Sequence, residues 1–297
     1  MVVIDRILCP IDFSDISRHA LLHAAAVARW YEAQLTALHV FTPPYIPSVM
    51  TSPELLRAVL PTDRGLQQLR DELNSWLGKL GEGLKTEAIV DQGPATWCIL
   101  DRASSMPADL IVIGTHGHGG VDRLLLGSVT EKVMRRATCP VMTVPPAAEP
   151  PRALPFKRLL CAVDFSAPSL SALRYALSIA KEADARLVIL HVVEWPAEDK
   201  LVEMDLELER YRALREARSQ QELDALVSKE ERTWCEPVTL LERGRSWQTI
   251  LRVAEKEHTD LIVMGVHGRN VVDVAFFGST TNQVVRRAPC PVLTLRQ

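Results

Sequence analysis

The chain repeats itself. LCPIDFS at 8–14 returns as LCAVDFS at 160–166, and LTALHV at 35–40 as LVILHV at 187–192. ADLIVIGTHGHGG at 108–120 returns as TDLIVMGVHGRNV at 259–271, and LLGSVTEKVMRRATCPVMTV at 125–144 as FFGSTTNQVVRRAPCPVLTL at 276–295. The offset is 152 residues between Asp12 and Asp164 and 151 between Gly114 and Gly265. One net deletion over that span means two complete copies of one unit, so the chain must reach the same fold twice. The joint, PPAAEPPRALP at 145–155, holds too much proline for a helix or a central strand and reads as an extended linker. The expected organisation is a domain over 1–145, a linker over 146–156 and a second domain over 157–297.

Each copy alternates strand and helix. Ile4–Ile11 is apolar and β-branched, as a buried parallel strand should be. Further strands are expected over Leu35–Phe41, near Leu84–Val90, over Leu110–Ile113 and over Val141–Val144. Ile16, Ala20, Ala24 and Ala28 share one helical face, with Ser14 or Asp15 as the cap. Gly93-Pro94 opens a helix to about Ser105, and Gly127-Ser128 opens another ending near Arg135-Arg136. The second copy places strands near 158–163, 187–193, 237–242, 261–264 and 292–295. Five strands alternating with helices predict an α/β, doubly wound domain in each copy: an open parallel sheet, helices on both faces, right-handed crossovers.

The copies differ most after their second strand. The first has Leu66, Leu69, Leu73, Trp76 and Leu80 at helical spacing. The second has a long charged segment, 198–232, with Leu201, Met204, Leu208, Tyr211 and Leu214 on one face. Such stripes ordinarily pack on the protein's own sheet. A partner-binding helix, or a lid over the pocket of its own copy, is the other reading.

Composition narrows the function classes. Acidic and basic residues number 37 and 34, for a net charge of −3, so there is no basic field for nucleic acid. No apolar run approaches the roughly 18 residues of a membrane span. The opening MVVIDRILCPID has neither the basic segment nor the apolar core of a signal peptide, and a soluble, cytoplasmic protein is expected. The six cysteines form no CxxC or zinc pattern and read as buried thiols.

The chemistry-bearing signal is a glycine loop. After the fourth strand comes Gly114-x-x-Gly117, nine residues, then Gly127-Ser128; the second copy has Gly265-x-x-Gly268, nine residues, then Gly278-Ser279. A strand end, a glycine loop and a helix start are the parts of an anion site, because helix N-termini present free N–H groups and partial positive charge. Ser128 and Ser279 add a hydroxyl, and together these fit a di- or triphosphate. Asp12 and Asp164 end the first strands, and Val40 and Val192 end the second ones. In doubly wound sheets ligands sit at that carboxyl edge. An acidic group there accepts hydrogen bonds from a base or ribose, and a valine packs on the base.

With these residues in place, the chain resembles a tandem universal stress protein, two such domains fused, over nearly all of both halves. The resemblance rests on G-x2-G-x9-G-[ST] between a DLIV(I/M)G strand and a CPV strand. It implies a flavodoxin-like or adenine nucleotide α-hydrolase-like fold with sheet order 3-2-1-4-5, and the ATP-binding branch of the family. Adenine contacts are then implied for Asp12 and Val40, ribose and phosphate contacts for Gly114 and Gly117, and the phosphate tail for Gly127 and Ser128. Asp164, Val192, Gly265, Gly268, Gly278 and Ser279 take the same roles in the second copy. The resemblance further implies pairing of the last strands, 140–144 with 291–295, within one chain, with a homodimer as an additional state. ATP, with or without Mg²⁺, is the implied ligand.

The loop interiors differ. HGGVDRLLL (118–126) in the first copy is RNVVDVAFF (269–277) in the second, where Val271 replaces Gly120 and Val274 replaces Arg123. A β-branched residue does not share a positive-φ conformation cheaply, so the second copy is expected to bind more weakly. His116 and His118 form H-x-H, which lacks the further ligands of a zinc site. His39 and His191, inside apolar strands, read as satisfied core histidines. No phosphate-binding GxxxxGK[ST] and no G-x-S-x-G elbow is present, so phosphoryl transfer should be slow. The expectation is a nucleotide-dependent stress-response regulator, read by a protein partner, with weak or no hydrolysis. A slow ATPase on the same pocket and a nucleotide-free interaction scaffold are the alternatives.

Overall fold

The strand β1, Arg6–Ile11, shows how the sequence builds the sheet: every residue after Arg6 is buried. A strand covered on both faces needs an unbroken apolar run, and ILCPI supplies it. The computed structural model describes residues 2–43, 62–117, 126–151, 156–195, 206–234, 237–266 and 278–296. It divides into two compact units, Val3–Pro146 and Phe156–Gln297, with the joint shared between them.

In the first unit β1 is followed by α1 (Asp15–Tyr31), β2 (Gln34–Phe41), α2 (Asp63–Gly78), β3 (Lys85–Gln92), α3 (Ala95–Ser105), β4 (Leu110–Gly114), α4 (Ser128–Arg136) and β5 (Val141–Val144). All pairings are parallel, in the order β3-β2-β1-β4-β5. Strands β4 and β5 are wholly buried, whereas β3, at one end of this order, exposes Lys85, Thr86 and Glu87. Charge on an outer strand discourages edge-to-edge association. Ser14 caps α1 by accepting the Ser17 N–H at 3.1 Å, and Glu32, in the left-handed region, ends it. Ala20, Leu21, Ala24 and Ala28 bury their face of α1 against β1 and β4. On α2, Leu73 and Trp76 are buried, and the helix packs on β2 and β3.

The second unit runs β6 (Arg158–Ala162), α5 (Ala167–Ala183), β7 (Arg186–Val193), α6 (Leu206–Ala225), a one-turn α7 (Glu231–Trp234), β8 (Val238–Arg243), α8 (Ser246–Lys256), β9 (Leu261–Gly265), α9 (Ser279–Arg287) and β10 (Val292–Leu295). Its strands pair in parallel as β8-β7-β6-β9-β10. Ser166 caps α5 as Ser14 caps α1, with the Ser169 N–H donating at 3.4 Å.

One expectation needs correction. Tyr211 and Leu214 on α6 do not pack on the sheet; they are 57% and 72% exposed. The helix is held by its polar side instead. Arg243 pairs with Glu216 at 2.6 Å, and the Thr239 hydroxyl donates to the Asp224 carboxylate. The apolar anchor comes later, at the buried Leu223 and Val227. Leu201 and Met204 lie outside the described residues. Five cysteines are described, all free thiols. Burial raises Cys139 to about 11 and Cys290 to about 12, and pushes Cys9 and Cys161 further the same way.

Candidate functional site

In both units the strand order reverses where the first strand meets the fourth, and a cavity opens at the carboxyl ends of the strands there. In the first unit it measures about 580 Å³ and is lined by Asp12, Val40, Gly114, Gly117, Gly127 and Ser128, among others. These six come from four separate stretches of chain: just past β1, near the end of β2, at and past the end of β4, and at the start of α4. Ile11, Leu38, Ile99 and Ile113 give the cavity apolar walls.

Asp12 is held by its own turn. Its Oδ1 accepts the Ser14 N–H at 3.0 Å and the Ser14 hydroxyl at 2.6 Å. The turn puts Phe13 at φ 63°, a costly conformation for an aromatic residue. Ring packing offsets that cost: Phe13 lies 4.6 Å from His39 and 5.3 Å, edge-on, from Trp76. His39 is fixed in turn through Nδ1, 2.8 Å from the Ile11 carbonyl; since a carbonyl only accepts, Nδ1 carries the proton. The second unit repeats the turn and the histidine contact: Asp164 accepts from Ser166, Phe165 has φ 62° and lies 4.6 Å from His191, and His191 Nδ1 bonds the Val163 carbonyl at 2.8 Å.

The glycines are there for close approach. A Cβ on Gly117 would sit 2.3 Å from Asp12 Oδ2. One on Gly114 would meet Ile16 Cγ2 at 2.7 Å, and one on Gly265 would meet the Pro168 backbone at 3.0 Å. The start of α4 faces the same cavity. Its N-cap, Gly127, provides no side-chain cap, so the first-turn N–H groups are not satisfied from within the helix by such a bond. Thr130 holds that turn in register by donating its hydroxyl to the Gly114 carbonyl at 2.8 Å; Thr281 does the same to Gly265 at 2.9 Å. His116 also lines the cavity, buried, with Nδ1 2.9 Å from the Thr115 hydroxyl.

The second cavity, about 530 Å³, brings together Asp164, Val192, Gly265, Gly278 and Ser279. Gly268, His118, and the differing positions 119–123 and 270–274 lie outside the described residues. Its wall departs from the first: Glu194 and, from α6, Arg215 and Ser219 line it. Among the described residues no cluster of three or more His, Cys, Asp or Glu is placed to hold a metal ion, and no helix is long and apolar enough to cross a membrane.

Sequence reasoning missed Phe13, His39, Thr130 and their counterparts Phe165, His191 and Thr281 as supports of the site. The signal was available, since each pair is identical between the copies.

The chain matches the model of the Universal stress protein family twice, over residues 4–145 and 155–296. It is 33% identical over 143 residues to a universal stress protein of Methanocaldococcus jannaschii, covering 47% of this chain and 81% of the relative. A universal stress protein of Mycolicibacterium smegmatis is 27% identical over 306 aligned positions, covering 98% of this chain and 96% of the relative. In fold, the crystal structure of a universal stress protein from Archaeoglobus fulgidus superposes with a TM-score of 0.64 at 23% identity, covering 99% of this chain and 96% of the other.

Proposed function

The chain belongs to the universal stress protein family, and from that premise and the geometry of its cavities we propose that each unit binds a nucleotide of the ATP type. The observation that carries this reading is the first cavity. It combines an uncapped helix start at Gly127-Ser128, a clamped carboxylate at Asp12 and apolar walls at Val40 and Ile99. Such a surface offers N–H groups to phosphates at one end and a packing surface to a base at the other. Asp12 keeps one oxygen in its turn and directs the other towards Gly117, on the side where the ribose or base would lie. A Mg²⁺ ion, in this reading, arrives with the phosphates and is held chiefly by them.

The site holds and orients more than it reacts. Among the described residues neither cavity is lined by a lysine, and the first is lined by no arginine. Without a charge clamp on the terminal phosphate, transfer is slow. Occupancy would therefore serve as a signal that a partner protein reads. Cytoplasmic residence, homodimer formation and a role in stress response belong to this proposal. The intact HGGVDRLLL loop makes the first copy the tighter ATP site.

The test is to denature the purified protein and identify released nucleotide by chromatography and mass spectrometry, quantified per chain. ATP bound to the chain, with turnover far slower than release, is the expected result. Rapid magnesium-dependent hydrolysis would replace the regulator with an ATPase. Failure of added ATP to bind at all would leave a nucleotide-free scaffold.

A further inference from the structure

The wall that α6 contributes to the second cavity has no equivalent in the first. Arg215 and Ser219, one turn apart on α6, line the cavity beside Val192, Val193 and Glu194. Among the described residues, α2 contributes nothing to the first cavity.

Arg215 is positioned but unspent. Its guanidinium lies over the Trp195 ring, 5.2 Å from the centroid, and Arg212 shares the same ring at 5.6 Å. The Arg243–Glu216 pair at 2.6 Å, the Thr239–Asp224 bond and the buried Leu223 fix the helix that carries it. Among the described residues Arg215 makes no hydrogen bond or ion pair. The Trp195 ring thus holds the guanidinium at the cavity wall, and its fork of N–H donors is left for something else.

Its place in the sheet says which part of a ligand it meets. Arg215 lines the cavity at the end of β7, while the phosphate-type helix start, Gly278-Ser279, follows β9. Strand β6 lies between β7 and β9. At the usual strand spacing the two ends are about 10 Å apart, so a nucleotide with phosphates on α9 has its base at the β7 end. This step rests on the nucleotide reading above.

We propose that Arg215 makes the second pocket select a 6-oxopurine nucleotide, of the guanine type, over adenine. Guanine presents two adjacent acceptors, O6 and N7, which match the arginine fork; adenine replaces O6 with an amino group, a donor facing donors. Glu194 lines the same end, its carboxylate accepting the Ser246 N–H. Such a carboxylate is the acceptor that guanine's N1–H and 2-amino group call for. The first pocket has the apolar Leu38, Val40 and Ile99 and, among the described residues, no such fork. The two copies thus differ in the base they read while sharing the phosphate end.

The experiment uses the full chain with its first pocket blocked by Ser128→Trp, an exposed position at the cavity mouth. ATP and GTP are titrated calorimetrically into this protein, and into the same protein carrying Arg215→Ala or Arg215→Lys. GTP should bind about tenfold more tightly than ATP, the scale of one arginine–guanine fork. Arg215→Ala should bring the ratio close to one with the melting temperature unchanged. Arg215→Lys should keep general attraction for both triphosphates but lose most of the discrimination. The mirror protein, blocked by Ser279→Trp, should show no dependence on Arg215. Equal or tighter ATP binding at the second pocket, or a ratio that survives Arg215→Ala, overturns the inference. If ATP fills both pockets without base preference, only this inference falls; if neither nucleotide binds the unblocked chain, the nucleotide reading falls with it.

Discussion

Gly117 has no room for a side chain, because the Asp12 carboxylate occupies that space at 2.3 Å from where a Cβ would be. Gly117→Ala should therefore displace Asp12, cost about 1–3 kcal/mol in chemical denaturation as overpacking does, and weaken nucleotide binding at the first pocket alone. A second residue-scale prediction concerns Asp260. Burial raises its carboxyl above the ordinary carboxylate value, although the Lys157 and Arg158 N–H groups donate to it at 2.8 and 3.0 Å. The folded state then holds this proton to a higher pH than the unfolded state does. Between the ordinary value of 3.8 and the raised one, the unfolded chain binds fewer protons, so stability falls as pH rises. The difference in denaturation midpoint between wild type and Asp260→Asn should shift against wild type as pH rises above about 4 and level off above the raised value; a flat difference would contradict this. At this scale the sequence was legible in which residues would gather at the strand ends, since Asp12 and Gly127 line one cavity. It was not legible at Phe13, since nothing local announces that an aromatic residue will accept φ 63°. That conformation is stabilised by His39 and Trp76, brought up from β2 and α2.

Elements are joined to the site by single hydrogen bonds that can be removed one at a time. Thr130 and Thr281 tie the first turns of α4 and α9 to the ends of β4 and β9. Thr130→Val keeps the volume but leaves the Gly114 carbonyl unmet in a buried position. It should cost about 1–3 kcal/mol and lower affinity at the first pocket, measured by denaturation and calorimetry on the same sample. The strand cysteines test burial directly. With Cys9 and Cys161 fully buried, thiol reagents near neutral pH should label these two only as fast as the chain opens, whereas the half-buried Cys139, raised to about 11, should react slowly for want of thiolate. Strand positions such as Leu110–Gly114 were readable because a five-residue, wholly buried strand has to be apolar throughout. The α6 stripe misled for the converse reason. Helical spacing of Tyr211 and Leu214 specifies a shared face, but which face meets the sheet was decided by Glu216, Asp224 and their partners Arg243 and Thr239 on β8.

For the molecule as a whole, two units of one design predict two independent losses. Ser128→Trp and Ser279→Trp should each abolish one binding event and leave the other with its own affinity, read as a fall in bound nucleotide per chain. The repeat in the sequence determined the main points without any coordinates: two domains, α/β alternation, and a glycine loop that ends in a helix start in each. Closely similar segments at a nearly constant offset fold alike, and a strand buried on both faces is written almost wholly in apolar residues. The tertiary structure alone decided how the copies diverge. Which wall Arg215 lines, and that it lies over Trp195, depends on packing among α6, β7 and β8. Those contacts join residues tens of positions apart, and no local pattern encodes them, because side-chain direction across such a gap is settled only when the sheet has formed.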